Sequence, residues 1–395
     1  MIRSTKVSIK FTNTNKRNKI KYFIEEYSRV MKIFIEKFWE MEYIPRFIDK
    51  EERKIITSWL SARAIQAAGQ QASGIVRATR AKKDRQKFII NKLIIQNKIK
   101  NAKKLQKIYD YTKMSKPNIK NIQPELDSRF VKIEINNGTS FDGWITLTCI
   151  GNKTKIKIPF KRTKHFNKLL TKGKLKSNIR IGDKDITIMF YSSDIDKTQN
   201  GDILGIDIGQ KTAISVSNGF YSIKNKTGHD LESITKILSR KKKGSKGFKR
   251  TQNHRKNYIN WSINQLNLKN IKQINVEDIK NIRKFKKTSR NLSHWTYTEI
   301  FEKLENKCEE EGVLMNRISP RYTSQRCSSC GWTCKSNRKK KLFNCGVCGY
   351  FSDADLNASL NIALPLMPLN EQQFGHSIQG FYWNVQKQEP IVPVV

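Results

Sequence analysis

The spacing of apolar residues along the chain changes character three times. Lys6-Val-Ser-Ile-Lys-Phe11 alternates and predicts a short strand. From Lys16 to Tyr111 apolar residues recur at steps of three and four (Tyr22, Ile24, Tyr27, Val30, Met31, Phe34, Phe38), which predicts helices. No proline falls between Pro45 and Pro117 to interrupt them. Trp59, Leu60, Ala64, Ala67, Ala68, Ala72, Ile75 and Val76, with Gly69 and Gly74 among them, form a small-residue face suited to a close helix pair. From Arg129 the period falls to two, in Phe130–Ile135, Trp144–Ile150, Lys155–Phe160 and Ile186–Tyr191, with glycines between the runs. That pattern predicts a small antiparallel module, with barrel closure as one option. We expect the first strand to return to it, so that the helices are an insertion.

The third region opens at Gly201. Ile203-Leu-Gly-Ile-Asp-Ile-Gly209 is nearly continuous in apolar character, as in a strand covered on both faces. Thr212–Ser217 and Phe220–Ile223 read as the next strands of a meander, and Ile271–Glu277 and Val313–Ser319 as two more. Helices are expected over about 293–311 and 354–364, with Leu356, Leu360 and Ile362 facing inward. After Pro365 no period is visible, and an irregular tail is expected.

Charge changes the picture from a generic α/β protein to one with a polyanionic partner. Among 395 residues, 77 Lys and Arg stand against 34 Asp and Glu, a formal charge of +43. Like charges repel in a compact fold, and the usual compensation is nucleic acid, whose counterions are released on binding. A basic set along the helical region (Arg63, Arg77, Arg80, Lys82, Lys83, Arg85, Lys87) would suit duplex phosphates. From Ser233 to Val276 there is no acidic residue, and Ser239–Arg250 within it is largely Lys and Arg, suited to guiding a phosphate backbone. Apolar runs long enough for a membrane span or a signal peptide are missing from this sequence, so membrane partners are not expected, and a cytoplasmic protein is.

Two sets of residues carry candidate chemistry. Asp207 and Glu277 end predicted strands, and Asp355 opens a predicted helix, with Asp353 placed to cap it. Strand ends in an open sheet can converge on one edge. Three carboxylates there need cations, and hard oxygen donors select Mg²⁺ or Mn²⁺. Two such ions about 4 Å apart would activate water and stabilise the leaving oxygen of a phosphodiester. Singly, each acid has a plainer explanation: Gly-Ile-Asp-Ile-Gly also opens the phosphate hairpin of actin-like ATPases, and Asp355 could serve only the helix dipole.

The second set is Cys327, Cys330, Cys345 and Cys348, spaced C-x2-C-x14-C-x2-C, with Gly331 and Gly349 after each pair. Two knuckles of this kind close a tetrahedron of thiolates around one structural Zn²⁺. Cys334 is read as a bystander, and Cys149 and Cys308 as small buried residues. Cations around the cluster (Arg326, Lys335, Arg338–Lys341) and the rings of Trp332 and Phe343 suggest contact with a nucleic-acid backbone.

Gly205–Gly209, Val276-Glu-Asp-Ile279, Tyr322–Gly331, Phe343–Gly349 and Asp353–Ala358 together, in this order, resemble TnpB, the RNA-guided nuclease of bacterial insertion sequences, and the compact type V CRISPR effectors. The specific part of the resemblance runs from about 201 to 363; before 192 it is architectural. It implies a multidomain α/β protein with an RNase H-like (RuvC) nuclease domain carrying an inserted zinc ribbon, plus a β-barrel-like wedge module with a helical recognition insertion. Its implied divisions are 1–14 (first wedge strand), 15–125 (helical recognition lobe), 126–195 (wedge), 196–320 (nuclease, first part), 321–352 (ribbon), 353–364 (last nuclease helix) and 365–395 (tail). Asp207, Glu277 and Asp355 would hold Mg²⁺, with Arg338 assisting. Guide RNA and target DNA would be the partners, and a short flanking motif would be read in the duplex. A monomer is favoured. A repressor or accessory transposition factor that grips DNA without cutting is the alternative, and loss of an acid would mark it. An actin-like ATPase would need a second phosphate hairpin and a Gly-rich adenosine loop, neither of which follows Glu277.

Overall fold

The computed structural model describes residues 1–279 apart from 113, 120, 121 and 137, then 294, 296–364, 381–384 and 389–391. The chain divides into two compact units, Met1–Ser193 and Asp194–Val395.

The first unit opens with β1 (Ile2–Ser8), somewhat earlier than the alternation at 6–11 implies. Four helices follow: α1 (Thr14–Glu40), α2 (Lys50–Lys54), α3 (Ala62–Ile95) and α4 (Ile99–Tyr111). Asn13, Asp49 and Ser61 cap the first three, each accepting a backbone N–H three residues on. The small face of α3 lies against α1. A Cβ added at Gly69 would come within 2.7 Å of Ile48 and 3.1 Å of the Phe34 ring, so side-chain-free backbone is needed there. Gly74 has open space and no such role.

The β-rich part holds β2 (Glu125–Leu126), β3 (Val131–Ile135), β4 (Gly143–Leu147), β5 (Ile156–Phe160), helix α5 (Lys164–Lys172), β6 (Lys174–Ile181) and β7 (Asp185–Tyr191). It forms two antiparallel sheets, ordered β1-β7-β6-β2 and β3-β4-β5, and no ring closes among the described residues. β1 pairs with β7 from Ile2 opposite Tyr191 to Ser8 opposite Asp185, so α1–α4 lie between paired strands of one sheet. Strand β6 has no counterpart in the period-two reading, because its pairing with β7 shifts register between Leu175 and Ile179, which breaks the alternation. The strand expected to reach Ile150 stops at Leu147. Cys149, read as buried, is an exposed turn residue with φ 58° whose carbonyl accepts the Ser61 hydroxyl at 2.5 Å. One core of residues such as Phe23, Tyr27, Phe34, Phe130, Ile158, Phe166 and Ile188 runs through helices and sheets alike.

The second unit is built on β8 (Asp202–Asp207), β9 (Ser215–Val216), α6 (Leu231–Arg240), α7 (Lys246–Asn264), β10 (Ile271–Glu277), α8 (Tyr297–Glu311) and β11 (Leu314–Ile318). The sheet order is β11-β10-β8-β9, with β8, β10 and β11 mutually parallel and β9 antiparallel to β8. The expected strand at 220–223 contributes an isolated bridge, Ser215 to Tyr221. α6 and α7 make the crossover from β8 to β10, and α8 leads into β11. Phe248 and Tyr258 are buried in this crossover, and the Tyr258 hydroxyl donates to the Ile223 carbonyl at 2.8 Å, so neither ring is a surface platform.

After β11 come the short strands β12 (Trp332–Thr333), β13 (Arg338–Lys339), β14 (Leu342–Asn344) and β15 (Phe351–Asp353), then helix α9 (Ala354–Ala363). β13-β14-β15 form one antiparallel sheet. The tail, expected to be irregular, contains β16 (Phe381–Asn384) and β17 (Glu389–Ile391), and β16 pairs with β12. Two-residue edge strands such as β12 leave free backbone groups, and the tail fills them. The remainder of the tail lies outside the described residues.

Candidate active site

Parallel pairing decides where the acids meet. Ile206 is opposite Val276 in the β8–β10 register, so the strands end side by side, with Asp207 and Glu277 as their last residues. In an open parallel sheet the carboxyl ends of the strands are where ligands bind. The third acid arrives on α9. Asp353 caps that helix, its carboxylate accepting the N–H groups of Asp355 (2.8 Å) and Leu356 (3.1 Å), and this fixes Asp355 in the first turn.

Gly205 lets the helix approach. A Cβ at that position would sit 1.9 Å from the Ser359 carbonyl oxygen and 2.3 Å from the Ala363 nitrogen. The inward face of α9 is correspondingly small and polar: Ala354, Asn357, Ala358, Ser359, Asn361 and Ile362 are buried. Leu356 and Leu360, expected inside, are only half-buried. The close approach leaves no room for leucine, and Asn275, itself buried in β10, donates to the Ala363 carbonyl at 3.0 Å to tie the helix to the sheet.

Asp207, Glu277 and Asp355 line one cleft of about 570 Å³ together with Thr323, Arg338 and Lys341. Asp355 is paired on both oxygens, by Arg338 at 3.0 Å and by Lys341. Burial pushes the Asp207 carboxyl up to about 7, and the neighbouring charges of Glu277 and Asp355 push the same way. Burial also raises Glu277, against a hydroxyl bond from Thr323 and the charge of Arg338. Burial thus disfavours the charged forms of Asp207 and Glu277, and a bound cation would offset it. Three carboxylates open to a cleft, Asp355 buried and Asp207 and Glu277 half-buried, fit hard, oxygen-seeking divalent ions, which keep positions free for substrate oxygens.

The four cysteines do close into a cluster. Among the described residues they are the one group of metal-ligating side chains whose atoms all lie within 4.8 Å of each other. Sγ of Cys327 is 3.7 Å from that of Cys348, and Cys330 is 3.6 Å from Cys345. Edges of a zinc–thiolate tetrahedron, with bonds of ~2.3 Å, measure about 3.8 Å, so the set fits Zn²⁺. A backbone N–H bond at Tyr350 lowers the Cys348 thiol to about 7, while burial and the other thiols raise Cys330 to about 12. Gly331 and Gly349 take φ of 82° and 71° at the two knuckles. Cys334 stands outside the cluster, its sulfur 3.0 Å from the Ser336 hydroxyl.

Some of the cations assigned to nucleic acid have other work. Arg326 is 8% exposed and faces Cys327 and Cys330, and Phe343 is fully buried in the cluster's small core. In the first unit Arg80 donates to the Phe38, Trp39 and Glu42 carbonyls, and Lys83 to that of Tyr109. In the acid-free segment Lys242 and Lys243 sit exposed between α6 and α7, whereas Arg255 is buried and donates to the His294 carbonyl. Lys341 reads from sequence only as one of the ribbon's nucleic-acid cations, whereas it pairs with Asp355, and Thr323, Asn357 and Asn361 carry no individual role in the sequence reading. The Tyr322-Thr-Ser-Gln-Arg-Cys run held the signal for Thr323, but hydroxyl and amide side chains carry no spacing rule that marks them as part of a site.

A family model described as "Cas12f1-like, TNB domain" matches residues 297–362. A CRISPR-associated endodeoxyribonuclease Cas12f1 of Sulfoacidibacillus thermotolerans is 47% identical over 78 residues, 20% of this chain and 18% of that protein. A TnpB-like protein of Aquifex aeolicus is 37% identical over 79 residues, 19% of this chain and 26% of that one. The chain thus spans about a quarter or less of the length of these relatives. A solved Cas12f1–sgRNA–target DNA complex aligns over 92% of this chain and 99% of its own at 15% identity, with a TM-score of 0.46. No helix among the described residues is long and apolar enough to cross a membrane. Residues 297–362 are thus similar to the Cas12f1-like TNB domain family, and stretches of the chain are similar to Cas12f1 and TnpB-like proteins of the compact type V CRISPR effector and TnpB family.

Proposed function

We propose that this protein is an RNA-guided DNA endonuclease that hydrolyses phosphodiesters at an RNase H-like, RuvC-type centre. The observation that carries the reading is the arrangement of Asp207, Glu277 and Asp355: two neighbouring parallel strand ends and one helix start, opening on a single cleft. The sheet order, with β8 between antiparallel β9 and parallel β10 and with parallel β11 beyond β10, supports an RNase H-like fold. Two Mg²⁺ or Mn²⁺ ions, when bound by these carboxylates, would supply an activated water and charge stabilisation on the leaving oxygen. The chain's own residues shape what enters: Arg338 and Lys341 hold Asp355 in place and present positive charge to an incoming phosphate.

Cys327, Cys330, Cys345 and Cys348 would hold one structural Zn²⁺, which leaves no open coordination position and so no catalytic role. The charge of +43 supports binding of guide RNA and target DNA. Residues 15–125 serve as the recognition lobe and the sheets of the first unit as the wedge. The endodeoxyribonuclease name of the 47%-identical relative supports DNA as the substrate.

The test is cleavage of a duplex matching the guide, with RNA from the native locus and Mg²⁺. Wild type should cut and Asp207→Ala should not. RNA-dependent duplex binding with no cleavage by wild type would replace this reading with the non-cutting one.

A further inference from the structure

Glu277 and the first cysteine knuckle are joined by a buried polar chain. The Thr323 hydroxyl, 1% exposed, donates to Glu277 Oε1, with the Pro320 carbonyl at 3.2 Å as its other neighbour. The Thr323 carbonyl in turn accepts Asn361 Nδ2 at 3.0 Å. That same amide reaches the Arg326 carbonyl at 2.7 Å and the Asn357 carbonyl at 3.1 Å. Asn357 completes the link: its Nδ2 donates to Arg326 O at 2.8 Å, and its Oδ1 accepts the N–H of Ser328, inside the Cys327–Cys330 pair, at 2.9 Å. Asn357 and Asn361 are 0% and 1% exposed.

Two buried amides on a helix are costly unless satisfied, and here their bonds go to the turn that leads into the knuckle. That turn is therefore fixed against α9, the helix bearing Asp355. Thr323 belongs to it, and its side chain reaches an acid of the cleft. A hydroxyl has a single proton, and its donation to Oε1 fixes the carboxylate plane and leaves Oε2 free for a cation. Partners that orient a metal-binding carboxylate in this way typically change metal affinity by ~10–100-fold when removed.

We propose that Thr323 is a positioning residue for Glu277, held in register by Asn357 and Asn361, and that its hydroxyl sets the affinity of the acidic cleft for a divalent cation. The inference rests on the proposed reading of the cleft as a metal centre.

The experiment is Mn²⁺ binding to the full-length protein by calorimetry and by electron paramagnetic resonance, with zinc content and melting temperature measured in parallel. Thr323→Val should weaken Mn²⁺ binding by at least about tenfold with zinc content unchanged, and Thr323→Ser should bind within about threefold of wild type. If valine prevents folding, Thr323→Ala reads the same quantity. Wild-type Mn²⁺ affinity in Thr323→Val, or equal weakening by serine and valine, would overturn the proposal while leaving the metal centre standing. No Mn²⁺ binding by wild type that Asp207→Ala abolishes would instead remove the metal centre itself, and this inference with it.

Discussion

The thiol cluster and the acidic cleft are two answers to gathering like-charged ligands. The cysteines come from 22 consecutive residues and meet through two short knuckles, with all four sulfurs within 4.8 Å. The acids come from Asp207, Glu277 and Asp355, far apart in sequence, and meet only because two parallel strands and a helix end at one edge. The first set closes on itself. The second stays open to a cleft and borrows Arg338 and Lys341 to balance one of its members. Loss of the closed site would loosen the segment that carries Thr323, Arg338 and Lys341, whereas the open site can lose an acid without unfolding anything.

The sharpest separation should come from the acids. Asp207→Ala is expected to reduce cleavage by roughly a thousandfold or more while zinc content and far-UV circular dichroism stay as in wild type. A loss of folded structure would make Asp207 part of the scaffold and erase the contrast. Cys345→Ser, or chelation of the wild-type protein, should remove zinc and structure first, and cleavage should fall with them because Thr323, Arg338 and Lys341 lie in the ribbon segment. Tyr322–Phe351 should become protease-sensitive, and melting should fall, because a structural zinc supplies folding free energy of order 10 kcal/mol to the segment that binds it. Gly205→Ala probes the close approach of β8 to the helix that carries Asp355. A methyl inserted against Ser359 and Ala363 should cost ~1–3 kcal/mol or more in denaturant unfolding and should displace Asp355, lowering cleavage more than stability alone accounts for. Removal of the helix cap by Asp353→Ala is the mildest change, about 1 kcal/mol by thermal melting, with zinc retained.

The two regions also differ in what the sequence reveals. The cysteine spacing encodes its own geometry, since a knuckle is a local structure. The three acids were legible for a related reason: each ends or starts an element whose period can be read. What stayed hidden depends on contacts between distant segments. Lys341 is one of several lysines in its run, and nothing local marks it as the one that meets Asp355. Asn357 and Asn361 look like helix-weakening residues until their carbonyl partners at 323 and 326 are known. Leu356 and Leu360 satisfy an amphipathic pattern, but the approach at Gly205 selects small residues instead. Strand β6 escaped because an irregular register breaks a period-two signal. In the first unit, Arg80 and Lys83 read as a phosphate-facing stripe and turn out to fasten helices through backbone carbonyls.

Asp353 is both the last residue of β15 and the cap of α9, so strand passes into helix with no connecting residue. The junction therefore has no slack in length or in phase. One alanine inserted after Asp353 would advance every following side chain by about 100° around the helix axis. Asn357 would then face away from Arg326, Ser359 would no longer sit over Gly205, and Asp355 would turn out of the cleft. Insertions of this kind are well tolerated in most surface connections. Here the permitted spacing between ribbon and helix is a single value, so this junction does not forgive a change in length of even one residue.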